Sequence, residues 1–240
     1  MDASPSLNLD PQEIAKFSKA SSRWWDKNGE FKLLHQLNPL RLHYLKTQVG
    51  DLAGKHILDL GSGGGIFSEA LAENAAKVTG IDASSAAIQT AKLHLYESQL
   101  EIDYQCSSIE VFAESKSECF DVIVCMEMLE HVPDPESILR SAASLLKPQG
   151  FLIVSTINRN PKSFITAILG AEYVLGLLPR GTHHYHKFIK PAELTEAGRR
   201  HGLNPIHCQG LKYFFFKNQF ELSSEVSVNY FLSFKKEGFC

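Results

Sequence analysis

Between Lys55 and Ile157, short apolar runs alternate with longer segments whose apolar residues recur at helical spacing. The runs "KHILDL", "KVTGID", "EIDYQCSS", "CFDVIVCM" and "GFLIVSTI" are predicted strands. Two of them, "CFDVIVCM" and "GFLIVSTI", show almost no polar alternation, which predicts burial on both faces. "GIFSEALAEN", "SAAIQTAKLHLYES" and "DPESILRSAASLLK" are predicted helices, the second capped by Ser84 or Ser85 and the third entered through Pro135. Strands and helices in this alternation predict βαβ units and a doubly wound, mostly parallel sheet of the α/β class.

The flanking segments follow other patterns. Residues 10–28 are predicted as one helix with Ile14, Phe17, Trp24 and Trp25 on one face, and "DKNGEF" ends it. A second apolar-periodic segment follows Pro39, through Leu40, Leu42, Tyr44 and Leu45. The two make an N-terminal helical cap over residues 1–50, ahead of a sheet domain at 51–240. After Asn158 the alternation pauses for an insertion spanning residues 160–189, behind the fifth strand. Within it "SFITAILGAEYVLGLLP", Ser163 to Pro179, is apolar on most sides and is interrupted by Gly170 and Gly176. That run is too short to span a bilayer, which needs ~20 residues, and too apolar for an open surface. It is either a buried core helix or a segment lying on a bilayer, with Lys162, Arg180 and Lys187 near anionic headgroups. Then "KPAELTEAGRRHG" reads as a helix, and "LKYFFFKNQFELSSEVSVNYFLSFKK" as two strands in a hairpin closing the sheet's edge.

Composition narrows the partners. Of 240 residues 44% are hydrophobic and 21% charged, with a formal net charge of −3, which is the balance of an ordinary globular protein. Lysines and arginines are scattered, so the electrostatic case for a nucleic-acid partner is absent. The five cysteines form no CxxC pair and read as reduced thiols. The N-terminus lacks a basic region followed by an apolar core, and the expected location is cytoplasmic, with peripheral contact at the inner membrane left open. His35 and His43 flank the cap, while His183, His184 and His186 crowd one loop without a cysteine or acid at zinc-ligand spacing; they are expected to be solvated.

The chemistry starts at "ILDLGSGGGIFSEAL", where a strand passes through four glycines in five residues into a helix. Asp82 closes the next strand 21 residues after Gly61, in the position of an acid that accepts hydrogen bonds from ribose hydroxyls. The dinucleotide fingerprint needs glycine or alanine where this chain has Ile66, so a nicotinamide oxidoreductase is disfavoured. Asp59, Gly61, Gly63 and Gly65 remain as D-x-G-x-G-x-G. An acid inside the strand and three alternate glycines suit an adenosine bearing an amino acid, whose ammonium needs an acceptor.

"LDLGSGGG", "VTGID", "CMEMLEHVPDP", "STINRN", "GAEYVLGLLPRGTH" and "SRWWDKNGEFKLLHQLNPLRLHYL" together resemble the ubiquinone-biosynthesis O-methyltransferases, over nearly the whole chain. The resemblance implies a class I S-adenosylmethionine-dependent methyltransferase with a seven-stranded sheet. It implies methylation of polyprenylated catechols, at both O-methylation steps, acting on 2-polyprenyl-6-hydroxyphenol and on 3-demethylubiquinol, within a possible ubiquinone-biosynthesis complex. An enzyme of the same fold with a soluble phenolic or carboxylate acceptor is the alternative. For the donor it adds Arg41, whose guanidinium would pair with the methionyl carboxylate, and Met126, set against the adenine.

Methyl transfer to a phenolic oxygen is an in-line displacement that needs alignment and a deprotonated acceptor. "EMLEH" supplies Glu127, Glu130 and His131 after the fourth strand, at the sheet edge where such folds bind ligands. If this segment is a helical turn, the three share a face and suit Mg²⁺, as the resemblance also implies. Two alternatives stay open: His131 as a base without metal, or a cluster that only shapes the loop. Trp24 and Trp25 are taken as packing anchors.

Overall fold

The computed structural model describes residues 8–163, 185–214 and 219–238. One eight-stranded sheet runs through it in the order β3-β2-β1-β4-β5-β8-β6-β7. The first five strands are β1 (His56–Leu60), β2 (Lys77–Asp82), β3 (Ile102–Cys106), β4 (Phe120–Met126) and β5 (Leu146–Ile157), all paired in parallel. Between them lie α3 (Ile66–Glu73), α4 (Ser85–Ser98), α5 (Ile109–Ala113) and α6 (Pro135–Leu145), preceded by α1 (Pro11–Ala20) and α2 (Lys32–Val49). After one helical turn, α7 (Pro161–Ser163), come α8 (Pro191–Arg200), β6 (Leu203–Phe214), β7 (Gln219–Ser223) and β8 (Asn229–Lys236).

Successive residues of a strand face opposite sides of the sheet, so the strands with apolar side chains at most positions feed two cores. Leu58, Leu60, Ile123, Cys125, Leu152 and Val154 pack on one side with Ile138, Leu139 and Leu194. Ile57, Val122, Val124 and Ile153 pack on the other with Leu37, Tyr44 and Leu45 of α2. The cap thus shares a core with the sheet. Helix starts follow capping rules: Asp10 accepts from the Gln12 and Glu13 N–H groups, Ser84 from Ala87, and Asp134 from Glu136 and Ser137.

The structure differs from the sequence reading most at the two ends of the chain. The helix expected over 10–28 ends at Ala20 and tightens into a 3₁₀ turn over Ser21–Arg23. The second cap helix begins at Lys32 and carries Pro39 inside it, since burial of Leu37, Tyr44 and Leu45 outweighs one lost backbone hydrogen bond. Among the described residues the C-terminal strands number three, not two, making eight rather than the expected seven. β8 lies between β5 and β6, antiparallel to both, and β7 forms the edge. The β6 strand starts in "LNPIHCQG", whose Pro205 hides it from a periodicity search, and its pairing shifts between Pro205 and His207. Residues 164–184, most of the apolar insertion together with His183 and His184, lie outside the described residues.

Candidate active site

The turn from β1 to α3 is shaped by three glycines in left-handed conformation, with φ of +73° at Gly61, +54° at Gly63 and +91° at Gly65. The Gly61 and Ser62 N–H groups donate to Ile81 O at 2.9 and 3.0 Å, which ties the loop to β2. Glycine is required sterically as well as by dihedral angle. A Cβ at Gly63 would lie 2.1 Å from Trp24 Cζ2, and one at Gly65 2.3 Å from the Tyr104 hydroxyl. Trp24 stacks on Phe31 with ring centroids 4.0 Å apart, and Trp25 Nε1 donates to Gly64 O at 2.9 Å. The bare backbone is therefore covered on one side by the cap's tryptophans.

Asp82 accepts from the Gly63 N–H at 2.9 Å through Oδ2 and from the Ser84 N–H at 2.7 Å through Oδ1, so it orders the glycine loop and the start of α4. Each oxygen keeps a second lone pair for a ligand hydroxyl. Asp59 is 2% exposed and accepts from Ser68 Oγ at 2.6 Å. Burial pushes its pKa up to about 6 against the pull of Ser68 and of the Arg41 charge.

Arg41, on α2, is 4% exposed, and its Nε and Nη2 have no hydrogen-bond partner. Burial lowers its pKa, while the charges of Glu127, Asp59 and Glu130 hold it up. Buried guanidinium donors without acceptors are costly and call for an anionic group at that point. Met126 ends β4 with 8% exposure.

The "EMLEH" segment is not one helical turn. Glu127 stands in the left-handed region at φ +52°, its N–H donating to Ser155 O and Oγ, both at 3.1 Å, and only Leu129–His131 is helical, as a 3₁₀ turn. Glu130 is 3% exposed; Thr156 Oγ1 donates to its Oε2 at 2.7 Å, while Oε1 is buried without a partner. Burial first, and then the charge of Glu127, raise its pKa to about 7. His131 turns its Nδ1 to Glu13 Oε2 at 3.0 Å, and Glu127 Oε2 lies 3.5 Å from Asn229 Nδ2. Each of the three side chains has a different hydrogen-bond partner, and their arrangement does not match the expected magnesium set. Among the described residues no group of three or more His, Cys, Asp or Glu side chains is placed to hold a metal ion.

Arg41, Asp59, Gly61, Gly63, Asp82, Met126, Glu127, Glu130 and His131 line one cavity of about 870 Å³ between the cap and the C-terminal ends of β1, β2 and β4. Sequence reasoning missed Glu13, Ser68, Thr156 and Asn229, and it took Trp24 for packing alone. Only Glu13 left a signal, as an acid one helical turn before Phe17 on the apolar face of α1.

A family model described as a methyltransferase domain matches residues 12–208. The ubiquinone biosynthesis O-methyltransferase of Bordetella pertussis is 49% identical over 98% of this chain and 97% of its own length. Its namesake from Nitrosospira multiformis is 51% identical over 96% of each. Among solved structures, the magnesium protoporphyrin IX methyltransferase of Synechocystis PCC 6803 with bound SAH is similar in fold, with a TM-score of 0.69 and 18% identity, over 95% of this chain and 100% of that one.

Proposed function

The chain belongs to the family of ubiquinone biosynthesis O-methyltransferases, enzymes that use S-adenosylmethionine, and we propose that its acceptors are the polyprenylated catechols of both O-methylation steps. The observation that carries the donor site is Arg41. Its unpartnered Nε and Nη2 supply the fork a methionyl carboxylate fits, in the same cavity as Asp59 and Asp82. Asp59 then faces the ammonium, Asp82 the ribose hydroxyls and Met126 the adenine.

At the acceptor end, Glu130 Oε1 is a buried acceptor awaiting a donor, suited to one catechol hydroxyl. His131 is the base for the other. The O–H proton passes to the imidazole, the oxygen attacks the methyl carbon, and the C–S bond breaks as the C–O bond forms, leaving S-adenosylhomocysteine and a methyl ether. The apolar stretch at 163–180 supports contact with an anionic membrane, where such an acceptor would reside. Among the described residues no helix is long and apolar enough to cross a membrane.

The test is methyl transfer from labelled donor to a short-chain prenylated demethylquinol and to the same ring without its tail, with and without anionic liposomes. The expected result is label on the phenolic oxygen, a kcat/KM about tenfold or more higher for the prenylated ring, as burial of an isoprene unit would give, and sedimentation with the liposomes. Equal rates for both rings would overturn the acceptor class, and failure to sediment would overturn the membrane contact.

A further inference from the structure

The N-terminal arm, residues 8–25, covers the cavity without belonging to either core of the sheet. Ala20 and Trp24, with Phe17 and Trp25 beside them, pack on Phe31, Leu34 and Ile66 as a small separate cluster, whereas α2 shares the core of the sheet. The turn between the two is exposed at Asp26, Lys27 and Asn28. It is held only locally, the Asn28 N–H donating to Asp26 Oδ1 at 2.9 Å and the Gly29 N–H to Asp26 O at 3.0 Å. Asp10, Phe17 and Trp24 of the arm line the cavity opposite Gly61, Gly63 and Asp82. A segment packed on its own small cluster opens at lower cost than the main core.

Trp25 fastens this arm. Its Nε1 donates to Gly64 O at 2.9 Å, and its indole lies flat on the His94 imidazole, with centroids 3.4 Å apart and planes 2° apart. His94, on α4, is held in turn by α3, its Nδ1 lying 2.8 Å from Oε1 of Glu69, which is 4% exposed. One side chain thus joins the arm to the glycine loop and to the two helices beside it. Polar contacts run along the rest of the arm: Asn8 with Glu110, Asp10 with Lys187, Glu13 with His131, and Ser18 Oγ 2.8 Å from Ser84 Oγ at the start of α4.

We propose that residues 8–25 are a lid over the donor, hinged at residues 26–30 and latched by the stack of Trp25 on His94, so that the donor enters and S-adenosylhomocysteine leaves only when the latch opens. The inference rests on the donor site proposed above. Opening carries Trp24 off the Gly63 and Gly64 backbone and uncovers the glycine loop, while α2, with Arg41, stays on the sheet. The competing role is local: Trp25 and His94 prop the glycine loop through Gly64, and the arm does not move.

Stopped-flow tryptophan fluorescence with S-adenosylhomocysteine on the full chain separates the two, since both tryptophans, Trp24 and Trp25, lie in the arm. In His94→Ala the association and dissociation rates are expected to rise together, each about 3- to 10-fold, as loss of one aromatic stack gives, with Kd within about twofold. A latch that is the same with and without ligand scales entry and exit alike. Unchanged rates, or faster dissociation alone with a matching loss of affinity, would overturn the inference, the latter in favour of the local role. Ser18→Cys/Ser84→Cys supplies a second test, made in a Cys106→Ser background because Cys106 Sγ lies 3.7 Å from Ala83 O. Once oxidised with diamide, that chain should neither take up nor release S-adenosylhomocysteine until it is reduced. Equal rates in its oxidised and reduced states would refute the lid, and this pair decides should His94→Ala fail to fold. No binding of S-adenosylhomocysteine to the wild type would instead overturn the donor site itself.

Discussion

In the proposed donor site, two charged side chains, Asp59 and Arg41, set how the donor is held. Asp59 is protonated at higher pH than an ordinary carboxylate because burial costs its ionised form, and its pKa stands at about 6. Only the ionised form attracts the donor's ammonium. Donor affinity measured by calorimetry should therefore be level above about pH 7 and weaken as pH falls through 6. In Asp59→Asn the affinity should be flat over that range and about tenfold weaker at pH 8, the loss expected for one charged hydrogen bond. Arg41→Lys keeps the charge but loses the fork, and about 10-fold weaker donor binding is expected. A flat wild-type profile would remove Asp59 from the donor site. Asp59 and Asp82 were legible because their places follow from the glycine spacing, whereas Glu13 was not, because its partner is brought to it by the fold across 118 positions.

The βαβ elements were legible because strands buried on both faces have few polar positions, and their ends are marked by caps such as Ser84 and Asp134. The cap helices and the C-terminal strands were less so. Pro39 reads as a boundary yet lies inside a helix anchored by Leu37 and Leu45, and β6 takes its pairing from β8 across a bulge rather than from its own pattern. The "EMLEH" segment misled in the same way, since a left-handed Glu127 breaks the helical spacing that would have gathered its three side chains. The contact between Trp24 and the glycine loop can be tested by substitution. Gly63→Ala adds a Cβ 2.1 Å from Trp24 Cζ2 at a φ of +54°, and should cost about 1–3 kcal/mol with a matching fall in Tm and weakened donor binding. Removing the indole with Trp24→Ala in the same chain relieves the clash but not the dihedral strain, so donor binding should recover in part. A Gly63→Ala variant that melts like the wild type would contradict the packing of the cap on this loop.

At the scale of the molecule, the cap and the sheet edge contribute opposite walls to one cavity. Arg41, Trp24 and Glu13 come from the cap; Asp59, Asp82, Glu130 and His131 come from the ends of β1, β2 and β4 and the turn that follows. On the proposed reading, that division lets the donor be held across the boundary between two segments remote in sequence. A crystal structure with S-adenosylhomocysteine and a short-chain catechol tests this arrangement most directly. The donor carboxylate should lie on Arg41 Nε and Nη2, the ribose hydroxyls on Asp82, and one catechol oxygen within hydrogen-bond reach of His131 Nε2. A donor bound elsewhere with Arg41 still unpartnered, or a catechol oxygen remote from His131, would contradict it.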